Sequence, residues 1–168
     1  MATPRTFALL GALLSVALAD NNVVSNPKVW AAVAFVNHGE STPYLSQSQS
    51  PVLTPEGAQQ MLRQGTAFRN RYLNNPNGTV APIQGVSQDA IDTSQVGVLS
   101  ASDGNVAASA MAFLQGLYPP DNTAFLPSAG GPMLADNLIT GGNSTYPLNG
   151  YQYPTIMTVS YADSDIAA

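Results

Sequence analysis

VWAAVAFVNHGESTP, residues 29–43, joins an apolar run to a polar knot. Val29 to Val36 holds only Val, Trp, Ala and Phe. An uncharged run of about eight such residues predicts a strand buried on both faces. Asn37-His38-Gly39-Glu40-Ser41-Thr42-Pro43 then predicts a loop at the strand's carboxyl end, where an open α/β sheet places its chemistry. His38 is the only histidine of the chain. Its imidazole can carry a proton or attack an electrophile near neutral pH. The plainer alternative is a histidine that only hydrogen-bonds within its loop. The neighbours Asn37, Ser41 and Thr42 are neutral, and Glu40 would repel an anionic substrate.

Outward from this loop, Thr54-Pro55-Glu56 has the order of a helix start: a hydroxyl N-cap, a proline at the first helical position and an acid at the positive end of the dipole. Ala58, Met61, Leu62, Gly65, Phe68 and Tyr72 recur at helical spacing. Asn74-Asn75-Pro76-Asn77-Gly78 stops the helix. Ala81–Val86 predicts a short strand, Asp89–Gln95 an irregular or helical piece, and Val96–Leu99 a second short strand. A polar loop, Ser100–Asn105, leads into a helix from Asn105 to Leu117, halted by Pro119-Pro120. Tyr151–Ser160 predicts a further strand region, with Pro154 at its start or edge. The expected fold class is α/β: a central, mostly parallel sheet flanked by helices. Two helices give thin cover for such a sheet, so the domain is expected to be incomplete.

The 168 residues suffice for one domain. Charged residues make up 9%, against roughly 25% in typical soluble proteins. Five basic residues face ten acidic ones, which excludes a basic stripe for nucleic acid. Arg5 followed by the apolar stretch Phe7–Ala19 has the form of a secretory signal, with residues 1–19 removed and residues 20–168 mature. The stretch is shorter than the roughly 20 residues needed to span a bilayer, so no stable membrane insertion is expected once the signal is cleaved. The implied localisation is extracellular. Asn77-Gly78-Thr79 and Asn143-Ser144-Thr145 are N-glycosylation acceptors. With no cysteine, thiol chemistry and Cys-ligated metals are excluded. One histidine and scattered acids form no metal-ligand cluster, and no nucleotide-binding loop is present, so neither metal nor cofactor is expected. Nothing in the chain specifies an oligomeric state.

Phe35–Pro43 resembles the histidine acid phosphatase signature, Arg-His-Gly-x-Arg-x-Pro after the first strand. The branch in question contains secreted fungal acid phosphatases and phytases. Leu53–Gln60, Phe68–Tyr72, Ser109–Pro120 and Pro147–Pro154 resemble further segments of that family. The resemblance implies a phosphatase-type α/β domain acting on small phosphomonoesters, with His38 at the position of the phosphohistidine nucleophile. It also implies phosphate-binding arginines, at positions occupied here by Asn37, Ser41, Leu99 and Asn105. The family's late His-Asp pair has no counterpart. Three functions follow as expectations: a degenerate or fragmentary member without catalysis, a secreted binding or structural protein on the same scaffold, and a weak acid phosphomonoesterase using His38.

Overall fold

The computed structural model describes residues 28–44, 50–74, 81–121, 124 and 147–160. Its element order is α1 (Pro55–Tyr72), β1 (Leu99–Ala101), α2 (Gly104–Leu117) and β2 (Met157–Val159). A single turn at Pro147–Gly150 precedes β2, with Leu148 and Asn149 in the left-handed region.

The first helix forms where its sequence predicts. Thr54 Oγ1 accepts from Gly57 N at 3.0 Å, which satisfies one of the helix's orphan amide donors. Glu56 lies in the first turn, Arg69 and Arg71 in the last, both favourable to the helix dipole. The second helix begins one residue earlier than expected, at Gly104, with Asp103 as N-cap but no side-chain capping bond.

The two helices pack through backbone at two glycines. A Cβ on Gly65 would fall inside the carbonyl oxygen of Phe113 and 2.9 Å from Leu117 N. A Cβ on Gly116 would fall inside Leu62 O and 2.8 Å from Thr66 N. Each helix therefore needs a missing side chain on the other for its axis to approach this closely. Below the crossing lies the core, Leu73, Leu114, Leu117 and Tyr118, with Phe68, Phe113, Val86, Ile91, Val96, Val98 and Ile156 packed against it. Phe68 meets Phe113 edge-on at 6.1 Å between ring centroids, a geometry favoured by the ring quadrupoles.

Side chains tie the connecting segments to this core. Arg69 Nη2 donates to Asp89 Oδ1 at 2.7 Å, and Arg69 Nη1 donates to Leu117 O at 3.1 Å and to Gln88 O. Gln152 is buried, accepting from Ile91 N at 2.7 Å and donating to Asp89 O at 2.7 Å. The Tyr118 hydroxyl donates to Ser87 O at 3.1 Å.

The sheet is smaller than expected. Among the described residues β1 and β2 form one two-stranded parallel sheet, with Leu99 opposite Met157 and Ala101 opposite Val159. The strand expected at Val96–Leu99 thus lies later, at Leu99–Ala101, and Tyr151–Ser160 contributes only Met157–Val159. Ala81–Val86 supplies a single bridge residue, Ile83, which pairs parallel with Val29. Asp89–Gln95 is irregular, turned by Asp92, whose carboxylate accepts from the Ser94 amide and hydroxyl at 2.8 and 2.7 Å.

Val29–Val36 corrects the sequence expectation most sharply. It runs without turn or bend, but beyond the Val29 bridge no described strand lies alongside it. It is not buried on both faces: Trp30 is 73%, Val33 82% and Phe35 98% exposed. An apolar run predicts burial only where other elements cover it, and among the described residues those elements are missing. Residues 1–19, expected as a signal, and Asn77 and Asn143, expected as glycosylation acceptors, lie outside the described residues.

Gly116→Ala is expected to lower stability by about 2–3 kcal/mol, since backbone rather than a flexible side chain must yield; urea denaturation of both proteins measures this. Burial, opposed by the charge of Arg69, pushes the Tyr118 phenol up from 10.0 to about 12. A raised pKa favours the neutral form in the fold. Its contribution is therefore complete below pH 10 and lost as pH rises through about 12. Tyrosinate absorbance should show one late-ionising tyrosine, missing in Tyr118→Phe, whose unfolding above pH 10 loses that dependence.

Candidate functional site

The His38 loop is held from three sides. Gly39 N donates to Ser109 Oγ at 3.1 Å, and Ser109 Oγ donates to Asn105 O at 2.7 Å. That chain anchors the loop on the first turns of α2. Glu40 N donates to Gln60 Oε1 at 3.1 Å, and Thr54 N donates to Glu40 O at 3.0 Å, which anchors it on the start of α1. Thr42 N donates to Val52 O at 2.9 Å, beside an antiparallel bridge between Ser41 and Leu53. Gly39 and Gly57 make the docking close: a Cβ on Gly39 would lie 2.9 Å from Gly57 Cα, and one on Gly57 would lie 2.7 Å from Glu40 N.

Within this frame His38 is exposed. Its Nδ1 lies 2.7 Å from Gly39 O. With the proton on Nδ1, donated to that carbonyl, Nε2 keeps its lone pair. The His38 amide donates to Asn37 Oδ1 at 3.0 Å.

A cavity of about 430 Å³ opens beside the loop, between the Trp30–His38 run, the Gln95–Ala101 segment and the facing sides of α1 and α2. Asn37, His38 and Leu99 line it together; Ser41 and Asn105 do not. Ser41 is committed to the bridge with Leu53. Asn105 is buried and reaches the loop only through its carbonyl and Ser109. Ser100, Ser109, Gln95 and Tyr118 are the other polar residues of the wall, and the remainder is apolar.

Among the described residues no lysine, arginine or carboxylate lines this cavity. The arginines of α1 are engaged elsewhere. Arg63 pairs with Glu56 at 2.9 Å on the surface, Arg71 lies over the Tyr72 ring at 5.3 Å, and Arg69 is tied to Asp89 and two carbonyls. Among the described residues no group of three or more His, Asp or Glu could hold a metal ion. None of their helices is long and apolar enough to cross a membrane.

The model of the histidine phosphatase superfamily (branch 2) matches residues 13–160. The chain belongs to this superfamily. No curated protein matches it. Ser109 and Gly57 were not legible as site residues. A serine inside a helix and a glycine in a first turn carry no local signal, and their role depends on contacts across 70 positions for Gly39–Ser109.

Arg69→Gln is expected to destabilise the fold by about 2–3 kcal/mol, since it leaves Asp89 and two carbonyls without their charged partner. Urea midpoints should show this, whereas Arg63→Gln, which breaks only an exposed pair, should cost no more than about 0.5 kcal/mol.

Proposed function

We propose that the chain is a secreted histidine acid phosphatase-like protein whose phosphatase chemistry has lapsed. In this proposal residues 1–19 are a cleaved signal, and residues 20–168 form the N-terminal portion of a family domain. His38 stands at the nucleophile position, with Asn37, Ser41, Leu99 and Asn105 at the positions of phosphate-binding arginines.

One observation carries this: among the described residues, the wall of the cavity beside His38 has no cationic side chain. Transfer of a phosphoryl group through histidine spreads negative charge over three equatorial oxygens, and catalysis rests on positive donors fixed around them. Removal of a single such donor typically costs about 3–4 kcal/mol of transition-state stabilisation. Here amide and hydroxyl groups, an isobutyl side chain and a buried asparagine stand at the four positions. The wall, apolar apart from a few neutral polar groups, offers a dianion no opposite charge to offset the loss of its water.

A second reading, weak phosphomonoesterase activity, is favoured by His38 itself. Its Nδ1 contact with Gly39 O leaves Nε2 free to attack. One assay separates the two. The secreted protein and His38→Ala are compared on p-nitrophenyl phosphate from pH 3 to 7. Equal background rates are expected at every pH. A rate for the parent protein that His38→Ala abolishes would establish the weak enzyme instead.

A further inference from the structure

We propose that the cavity beside His38 is a binding site for a neutral aromatic molecule that carries a hydroxyl group. Its volume of about 430 Å³ lies in the range of small-molecule sites, which combine an apolar lining with a few placed polar groups. The described wall is of that kind. Phe68 and Phe113, packed edge-on at 6.1 Å, line it together with Trp30, Met61 and Val98. Ring surface and a thioether favour an aromatic guest. Water in such a cavity finds few partners, so a guest that displaces it gains affinity.

Hydrogen bonding gives this guest one polar end. Most polar side chains of the wall are already committed to the protein's own groups. Gln95 accepts from Ser87 N at 2.8 Å and donates to Gly85 O at 3.1 Å. Tyr118 donates to Ser87 O, Ser100 donates to Ala101 O, and Ser109 bridges Gly39 and Asn105. Asn37 and His38, adjacent in the chain, differ. Among the described residues nothing takes the Asn37 amide hydrogens or His38 Nε2. The first group is a donor, and the second is an acceptor when Nδ1 holds the proton against Gly39 O. A hydroxyl satisfies both at once, accepting from one and donating to the other. A phosphate monoester brings only acceptors, with a charge that the described wall does not offset. The proposal therefore deepens the reading of a lapsed phosphatase site and rests on it.

Fluorescence titration of the full chain with α-naphthol, naphthalene and α-naphthyl phosphate tests this. Naphthol should saturate a single site in the micromolar range. Naphthalene, without the hydroxyl, should bind about three- to tenfold more weakly, and the phosphate ester at least about tenfold more weakly. Ala34→Trp and Ala110→Phe, which fill the cavity from its outer run and from α2, should each weaken naphthol binding at least about tenfold. Ala34 is exposed, so the circular dichroism of its variant should match the parent's. Asn37→Leu combined with His38→Phe should abolish the preference for naphthol over naphthalene. Absence of saturable naphthol binding overturns the proposal. So does equal or tighter binding of the phosphate ester, a naphthol affinity unmoved by both fillings, or a hydroxyl preference that survives the double variant. Release of naphthol from the ester by the parent and not by His38→Ala overturns the lapsed-phosphatase reading and this proposal with it. A chain that neither hydrolyses the ester nor binds naphthol overturns this proposal alone.

Discussion

The backbone contact between α1 and α2 at Gly65 and Gly116 is the constraint on which the other contacts depend. Because neither glycine has a Cβ, the helices approach until each glycine meets the other helix's main chain. That approach sets the distance between the elements flanking the pair. Arg69, one turn beyond Gly65, can then reach the Leu117 carbonyl at the end of α2 and hold Asp89 as well. Phe68 and Phe113 meet edge-on, and Ser109, two turns before Gly116, comes within hydrogen-bonding distance of Gly39. A wider crossing would break these contacts together, since one rigid pair of cylinders carries them all.

The helices were the legible part of this fold because their signals are local. Thr54-Pro55-Glu56 specifies an N-terminus from adjacent residues, and the spacing from Ala58 to Tyr72 specifies a face. The strands were less legible. Whether Val29–Val36 lies in a sheet depends on what stands beside it, and hydropathy alone cannot distinguish a covered run from an uncovered one. Gln152 shows the same limit in a polar residue: within PLNGYQYP nothing distinguishes it, yet it clamps the backbone at Asp89 and Ile91. At the site, His38 stood out as the sole histidine before a glycine. Gly57 and Ser109 did not, because their parts in holding the loop exist only after α1, α2 and the loop have come together.

Scaffold and chemistry are separable in this chain. The main chain of the His38 loop is supported by amides, carbonyls, a serine hydroxyl and two glycines. None of that support uses a charged side chain. Electrostatic complementarity to a phosphate can therefore disappear while the loop keeps its course. The arginines of α1 serve folding and surface pairing, and the most enclosed of them, Arg69, is held by Asp89 and two carbonyls.

The mutual fit of Gly39 and Gly57 extends this point to heredity. The contact involves only main-chain atoms, so it requires two residues without side chains. Asn37 and His38, both exposed, add only bonds within the loop itself, while its docking rests on the main chain. A lineage can lose a chemistry at such a loop and still hand down its shape, which leaves the loop open to a new set of side chains.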